Sequence, residues 1–295
     1  MNATATKTQM QTQTQMTPRA QGLLSGGPQP RRPVVLLRYE GAAHLNARRW
    51  AGVLAAAFDT ELIVVRLIEE RALRLGGVLR PAAAPMNEAL KVIDARVRWQ
   101  RRFGEGRAQP ALISLPNEGT SQLAQALATL GPQVVVLGSA RTWPGDCVAQ
   151  LATESGTPFL IARPARTGAG VVAATSLTEA QFPVLKEAQA WATALGRPLT
   201  LLHNIEPRLG QSLRTGLEEK METFAQEHGA AVAFTRAYDP VSSILDVARA
   251  DDADVIVVGA SASRSDAARR VAPRIVSMAK RSVMVVPLSR RSSLS

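Results

Sequence analysis

The sequence predicts an α/β fold made of two tandem five-stranded parallel-sheet units. The first observation is an internal repeat: the apolar segment VVLL begins at Val34, and the similar segment VVAA begins at Val171, 137 residues later. At the same offset and without a gap, the segment RLIE at Arg66 aligns with HNIE at His203. The second observation is that short apolar segments alternate with amphipathic stretches of about 10 to 20 residues, which is typical of parallel strands joined by crossover helices.

The length and composition allow both units to fold. The chain has 295 residues and is 46% hydrophobic, which is enough to bury two ordinary cores. Residues 1–32 are rich in Thr, Gln, Gly and Pro and lack an apolar segment of the secretory kind, so we expect a disordered tail. We assign residues 33–165 to domain 1 and residues 166–295 to domain 2.

The second unit has the clearer pattern. Its first strand, expected over residues 171–175, is apolar without alternation, as in a strand that is covered on both faces. Thr178 and Gln181 form a capping-box pattern before a helix expected over residues 179–195, which Gly196 ends. The later elements are expected as strand 199–202, helix 209–228, strand 231–235, helix 240–250, strand 254–258, helix 266–280 and strand 283–286.

The first unit repeats this order. Its strands are expected over residues 34–37, 62–65, 112–114, 134–137 and 159–162, with helices between them that include 86–103 and 120–130. In open parallel sheets, ligands bind beyond the carboxyl ends of the strands, where the strand order reverses. That rule directs attention to the residues that follow the first and fourth strands, which are Tyr39 and Gly138 in one unit and Thr175 and Gly259 in the other.

Charge, hydropathy and cysteine content narrow the class of protein. The net charge of +11 comes from arginines that are scattered among acidic residues, with no aromatic-interleaved stripe for stacking bases, so nucleic acid is an unlikely partner. The apolar runs are far shorter than the roughly 20 residues of a membrane helix, so we expect no membrane association. The single cysteine, Cys147, excludes an internal disulfide and favours a cytoplasmic location.

Two segments of the second unit carry a family resemblance. One is VVAATSLTEAQFPVLKEAQAWATALGRPLTLLHNIEP, which begins at Val171, and the other is AYDPVSSILDVARADDADVIVVGASA, which begins at Ala237. With them, the chain from Pro33 to Leu288 resembles the tandem form of the universal stress protein family. The resemblance implies a Rossmann-like fold of the adenine nucleotide alpha hydrolase type, with strand order 3-2-1-4-5 in each unit.

The resemblance also implies how the two units meet. In the family, units pair through their fifth strands. Here the strand from Phe159 to Ala162 would therefore pair with the strand from Val283 to Val286, and the two units would form a pseudo-dimer within one chain.

Members of the family that hold ATP share a glycine motif. They have a glycine after the fourth strand, a second glycine three residues on, and a Gly-Ser or Gly-Thr pair after nine intervening residues, and an aspartate ends the first strand. Glycine lets backbone amides approach phosphate closely, and a helix N-terminus attracts it. In the second unit Gly259 is kept, but the later positions hold Ala262 and the pair Ala272-Pro273, and Thr175 replaces the aspartate.

The motif is degenerate in the first unit as well. Gly138 is kept, Arg141 stands at the second glycine position, and Leu151-Ala152 stands at the pair position. The aspartate is replaced by Arg38 or Tyr39.

A phosphate site without the glycines would need hydroxyl and guanidinium groups. The candidate nucleotide-binding residues are Thr175, Ser176, His203, Gly259, Ser261, Ser263, Arg269 and Arg270. Each also has a simpler interpretation: Gly259 as a turn residue, the serines and arginines as a polar loop and helix start, and His203 as a structural residue. The sequence contains no Walker loop, no nucleophile elbow and no spacing typical of a metal site, so we expect no catalytic or metal-binding residue.

From these observations we expect a tandem universal stress protein that is not an enzyme, that acts in the cellular stress response through protein contacts, and that needs no cofactor. The alternative is a nucleotide-binding regulator of the same fold, which would hold ATP or AMP and hydrolyse it slowly.

Overall fold

The structure is a computed structural model that describes residues 31–39, 45–68, 111–116, 119–138, 143–164, 170–177, 182–261 and 271–288. Residues 1–30 of the expected tail, the expected helix 86–103 and the boundary between residues 165 and 166 lie outside the described residues, so the domain limits stay a prediction.

The described elements of the first half alternate between strand and helix as expected. They are β1 (Val34–Tyr39), α1 (Leu45–Ala57), β2 (Leu62–Ile68), β3 (Ala111–Pro116), α2 (Thr120–Leu130), β4 (Val134–Leu137), α3 (Gly145–Ser155) and β5 (Phe159–Ile161). The second half repeats the alternation. Its elements are β6 (Val171–Ala174), α4 (Pro183–Leu195), β7 (Leu199–Asn204), α5 (Gln211–His228), β8 (Ala231–Thr235), α6 (Pro240–Ala250), β9 (Val255–Ser261), α7 (Val271–Met278) and β10 (Ser282–Leu288).

The predicted start of α4 is wrong. The helix begins at Pro183, four residues after the expected residue 179, and Phe182 before it has a φ of 49°. Proline restricts the preceding residue away from the helical region and is well suited to the first helical position, so Pro183 sets the boundary. The capping box expected at Thr178 and Gln181 lies outside the described residues. By contrast, α6 begins where expected, because the Asp239 carboxylate accepts a hydrogen bond of 3.3 Å from the Val241 N–H.

All ten strands form one sheet in the order β3-β2-β1-β4-β5-β10-β9-β6-β7-β8. Read from its outer strand, each half therefore has the order 3-2-1-4-5. β5 and β10 meet in the middle as an antiparallel pair, with Val283 opposite Ile161 and Val285 opposite Phe159. These are the two segments that the family resemblance implies lie side by side. The neighbours of this central pair, β4 and β9, are parallel to β5 and β10 respectively.

The two hydrophobic cores are divided by sheet face and not by repeat. One core lies under α2, α3, α6 and α7, and the other lies under α1, α4 and α5. Each contains buried residues of both halves: Val35 and Val172 belong to the first core, and Leu36 and Ala173 to the second. The sequence allowed for two cores, and the structure shows that both are shared between the repeats.

Side chains from several elements join the halves around Arg163. Its N–H donates to the Ser282 hydroxyl at 3.0 Å, and its guanidinium donates to the Val276 carbonyl near the end of α7 at 3.2 Å. Its own carbonyl accepts a hydrogen bond of 3.0 Å from the Trp50 indole on α1. Arg163 therefore connects elements from both faces of the sheet close to the β5–β10 seam.

Candidate functional site

The strand order reverses at two places in the sheet. These are the junction of β1 and β4 in the first half and the junction of β6 and β9 in the second half. Ligands of open parallel sheets bind in the crevice beyond the carboxyl ends of such strands. The two crevices are therefore the candidate sites, and both can be built from the strand register.

A row of residues crosses the carboxyl edge of the second half. Ala174 pairs with Leu202 on β7 and with Val258 on β9. The next residue along each strand is Thr175, His203 and Gly259, so these three sequence-predicted residues lie level with one another on neighbouring strands. The register thus brings together three of the eight candidates.

The imidazole of His203 is hydrogen-bonded within the protein. Its side chain is only 4% exposed, and its Nδ1 atom lies 2.9 Å from the Thr175 carbonyl oxygen. Because a carbonyl oxygen can only accept, this contact requires a proton on Nδ1. His203 therefore ties the end of β7 to the end of β6.

Thr175 is similarly engaged. Its hydroxyl accepts a hydrogen bond of 3.1 Å from the Leu177 N–H, and its own N–H donates to the Leu202 carbonyl at 3.1 Å. Ser176 follows it and is exposed. The N–H, hydroxyl and carbonyl groups of Thr175 thus all have partners in the protein.

Gly259 packs closely against a leucine side chain. A Cβ atom at this position would lie 2.8 Å from Cδ1 and 3.0 Å from Cγ of Leu288, which reaches over from β10. Real Cβ atoms essentially never approach a neighbour to 2.8 Å, so a larger residue at 259 would have to displace the leucine. Ser261 ends β9 and lies level with Leu288 in the register. The leucine side chain occupies the space beside Gly259.

Hydrogen bonds also join the end of β7 to the end of β8 and the residues that follow it. The Asn204 amide at the end of β7 donates to the Ala237 carbonyl at 2.9 Å and accepts from the Ala237 N–H at 3.1 Å. Its oxygen also accepts from the Thr235 hydroxyl at 2.9 Å. Neither the sequence pattern of Asn204 nor its place in the repeat indicated this bridging role.

Of the remaining candidates, Ser263, Arg269 and Arg270 lie outside the described residues, and their role stays a prediction. The pair Ala272-Pro273, where the resemblance places the phosphate-holding Gly-Ser or Gly-Thr pair, lies in the first turn of α7. There the Pro273 backbone packs on Gly145 of α3: a Cβ atom on Gly145 would lie 2.6 Å from Cα of Pro273. The two helix backbones touch at this point.

The first half has a row of a different kind. Arg38 on β1 pairs with Arg66 on β2, and Leu36 pairs with Val136 on β4, so Gly138 lies level with Arg38. Arg38 and Arg66 are half-buried, and the Nε atoms of both are shielded from solvent. Within the described residues, the Nε of Arg38 has no hydrogen-bond partner.

The repeat offsets in the sequence were sufficient to align the row of Arg66, Arg38 and Gly138 with the row in the second half. The repeat offset of 137 that pairs Arg66 with His203 also pairs Arg38 with Thr175, and the offset of 121 pairs Gly138 with Gly259. From its sequence position, Arg38 was recognisable only as the replacement of an aspartate. Extending the ungapped alignment by position would have identified the two arginines as neighbours.

An ion pair fixes the helices beside the second-half crevice. Both Asp239 oxygens accept hydrogen bonds of 3.0 Å from the guanidinium of Arg274 on α7. This contact, together with the hydrogen bonds from Ser242 and the Val241 N–H, holds the pKa of Asp239 below its ordinary value. The arrangement joins the N-terminus of α6 to α7.

Neither a metal cluster nor an activated thiol is found in the part of the chain that the structure describes. No group of three or more His, Cys, Asp or Glu residues there could hold a metal ion. Burial raises the pKa of the half-buried Cys147 thiol, which disfavours the reactive thiolate. Among the described helices, none combines the length and apolar character that crossing a membrane requires.

Comparisons with solved structures show the fold. A protein of Pseudomonas aeruginosa UCBPP-PA14 that is classed as a universal stress protein has a TM-score of 0.58 and 15% identity, over 87% of this chain and 94% of that one. A protein of unknown function from Pseudomonas aeruginosa PAO1 has a TM-score of 0.55 and 15% identity, over 86% and 92%. A universal stress protein of Archaeoglobus fulgidus DSM 4304 has a TM-score of 0.51 and 13% identity, over 86% and 96%.

The sequence matches no protein-family model and no curated protein. The structural similarity covers most of the chain, and it confirms the Rossmann-like α/β fold. The chain therefore has the fold of the universal stress proteins across both of its halves.

Proposed function

We propose that the protein takes part in the cellular stress response, is not an enzyme, and acts through contacts with other proteins without holding ATP or AMP. The observation that carries this proposal is the contact between α3 and α7. Where a phosphate-binding pair would stand, α7 has Ala272 and Pro273, and Pro273 packs on the backbone of Gly145. Alanine has no hydroxyl group and proline has no N–H to donate, so this helix end favours packing over phosphate binding.

The polar groups of the second-half crevice support the same proposal. The Nδ1 atom of His203 is hydrogen-bonded to the Thr175 carbonyl oxygen, and the Leu288 side chain fills the space beside Gly259. A general base must reach its substrate, and His203 is 4% exposed with its Nδ1 already bonded. These contacts stabilise the strand ends, and within the described residues of this crevice they leave little that could bind or activate a substrate.

A role in protein contacts is supported by exposed apolar side chains near the same edge. Tyr238 follows β8 and is 82% exposed, and Leu213 in the first turn of α5, which follows β7, is 64% exposed. Exposed aromatic and aliphatic side chains of this kind contribute to protein–protein interfaces. We therefore propose that partners contact the second half beyond the ends of β7 and β8.

Two measurements test the proposal. Small molecules released when freshly purified protein is denatured are analysed by mass spectrometry, and thermal unfolding is followed with and without ATP or AMP. We expect no nucleotide and no shift in the unfolding temperature. Adenine nucleotide at close to one per chain would contradict the proposal and favour the nucleotide-binding regulator. In that case, replacing Arg269 and Arg270 with alanine should remove the nucleotide.

The protein-contact part has its own test. A photo-crosslinking amino acid is placed at Tyr238, and separately at the exposed Gln125 on α2 as a matched control. Under stress in living cells, position 238 should give a discrete crosslinked protein that is absent for position 125. The same products at both positions, or none at position 238, would contradict this surface as the contact site.

A further inference from the structure

We infer that a second copy of this chain pairs with β8, the outer strand of the second half, and continues the ten-stranded sheet across two molecules. The two β8 strands would run antiparallel about a twofold axis at Ala233. This inference goes beyond the proposed function and does not depend on it, because it concerns the side edge of the sheet, whereas the proposed partner surface lies beyond the ends of the strands.

The first step is the free edge of β8. The sheet ends at this strand, which pairs with β7 and with no other strand of the described residues. Proteins usually protect such an edge with lysine, proline, a bulge or an inward-pointing charge. β8 has the sequence AVAFT, which contains no charged residue and no proline, and its register with β7 is continuous. The opposite edge strand, β3, ends in Pro116.

The second step is the direction of the backbone groups. The Ile205 N–H donates to the Thr235 carbonyl at 2.8 Å, so the peptide groups of Thr235 point toward β7. These groups alternate in direction along a strand. The N–H and C=O groups of Val232 and Phe234 therefore point away from β7, toward the open edge. An added strand would satisfy them, which is how extended chains bind to the edge of a sheet.

The third step is the fit of the edge to itself. With the axis at Ala233, Val232 of one copy lies opposite Phe234 of the other, and both residues present their N–H and C=O groups to the partner. Opposite residues of this kind exchange both of their N–H···O bonds, and the axis forms the pair twice. Within the chain, β5 and β10 already pair in this antiparallel way, and both sheet faces continue across them.

The fourth step is charge. Val232 and Phe234 pack on the sheet face that α5 covers, and alternation along the chain places the exposed Arg236 on the same face. In the antiparallel register, Arg236 lies level with Ala230 of the second copy, just past the end of α5. That helix end is partially negative and also has the exposed Glu227 in its last turn, so it attracts a cation. A parallel arrangement would instead place the two arginines side by side.

The first test is sedimentation velocity of the full-length chain over a range of concentrations. A contact of five residues per strand lies below the size of a stable interface, so we expect a dimer that dissociates on dilution. Val232→Pro removes an edge-facing donor from each copy and should weaken dimerisation about tenfold or more. Proline is tolerated in an edge strand where its nitrogen faces solvent, so the monomer should stay folded. Val232→Ala is the matched control, because it shortens the side chain but keeps the N–H, and it should still dimerise.

The second test is disulfide formation, which also reports on the register. In a Cys147→Ser background, Ala233→Cys places a thiol at the axis. Antiparallel partners without mutual hydrogen bonds have Cα atoms about 4.5 Å apart, which suits a disulfide, so mild oxidation should give a covalent dimer. Ala231→Cys is the control, because two copies of residue 231 would be about 14 Å apart and should not crosslink. Its partner is Thr235 of the second copy, so mixing it with Thr235→Cys should restore the disulfide.

Three results would overturn the inference. One is a sedimentation coefficient that does not rise with concentration. Another is equal weakening by Val232→Pro and Val232→Ala, which would indicate side-chain contact without strand pairing. The third is equal crosslinking of Ala233→Cys and Ala231→Cys, which would indicate random collision. If Val232→Pro fails to fold, the cysteine variants decide. Each of these results leaves the proposed function standing, because nucleotide content and crosslinks from Tyr238 to other proteins are measured separately.

Discussion

The two halves place different chemistry on the same row of the same sheet edge. In the second half the row is His203, Thr175 and Gly259, and its groups bind one another or pack against Leu288. In the first half the equivalent row is Arg66, Arg38 and Gly138, with two cations side by side. The comparison teaches that two copies of a repeated fold can place different side chains on the same row of the sheet, although the strand register is the same in both.

The largest expected effect concerns the β5–β10 pairing, which joins the two halves in one sheet. Val285→Pro removes an N–H from β10, which has neighbours on both sides, and should lower the free energy of unfolding by about 3 kcal/mol or more. Val285→Ala is the control, since it keeps the N–H and loses only side-chain packing. Urea unfolding and small-angle scattering measure the result. Unchanged stability and shape in Val285→Pro would mean that the halves do not depend on this pairing.

A somewhat smaller effect is expected at the helix contact that stands in place of a phosphate site. Gly145→Ala should destabilise the protein by about 1–3 kcal/mol, because the new Cβ meets the Pro273 backbone, which cannot rotate away. Gly52→Ala on α1 is the matched control: no atom lies within 4 Å of its Cβ position, so alanine should be neutral or stabilising there. Chemical denaturation that gave equal effects for both would show that α3 and α7 do not touch as described.

A double-mutant cycle can sharpen the comparison of the two glycines. Gly259→Ala should cost about 1 kcal/mol in wild type, because Leu288 must move, and clearly less in a Leu288→Ala background, where the space is vacant. Free energies of unfolding of the four proteins give the coupling. Additive effects would show that Leu288 is not the reason for the glycine, and the interpretation of a filled crevice would be lost.

The smallest expected effect is a pH dependence at the contact between the halves on the other sheet face. Trp191 packs edge-on against Phe58 of the first half, with ring centroids 6.0 Å apart, and its indole donates to the Glu187 carboxylate at 3.1 Å. Burial raises the pKa of Glu187, and the bond from Trp191 and the charge of Arg32 offset only part of this. The protonated acid is therefore favoured by the fold, so stability falls as the pH rises past the ordinary glutamate range.

Glu187→Gln keeps an acceptor for Trp191 and removes the charge. We expect a gain of less than about 1 kcal/mol at neutral pH and none in acid, below the pKa of an ordinary glutamate, where the wild-type residue is already protonated. Thermal unfolding across this pH range measures the difference. A gain that is equal at both ends of the range would contradict an effect of ionisation.

Much of the fold followed from local pattern. The limits of α2 and β4 agree with prediction, because Gly131 ends the helix with a φ of 57° and the apolar run of β4 is buried throughout. The start of α4 does not agree with prediction. Pro183 keeps Phe182 out of the helical conformation, and this restriction outweighed the capping-box pattern in the sequence. The sharing of both cores between the repeats depends on β5 meeting β10, which hydrophobic periodicity within one repeat does not encode.

The candidate site was predictable only in part. The rule on strand ends singled out Thr175 and Gly259, and His203 was a separate candidate, but whether a histidine binds a ligand or a carbonyl depends on a distance that no pattern contains. Gly259 and Gly138 look equivalent in sequence. The contact of Gly259 with Leu288, which lies 29 residues further along the chain, is not contained in that local pattern.

The measurement that tests the central comparison most directly is an NMR titration of full-length protein carrying ¹⁵N-labelled glycine with ATP. The amide signal of Gly259 reports on the second-half crevice, and the signal of the exposed Gly52 on α1 is the reference within the same sample. We predict that ATP leaves both signals in place, because Leu288 packs beside Gly259. A shift of Gly259 alone would contradict a second-half crevice that is filled by packing.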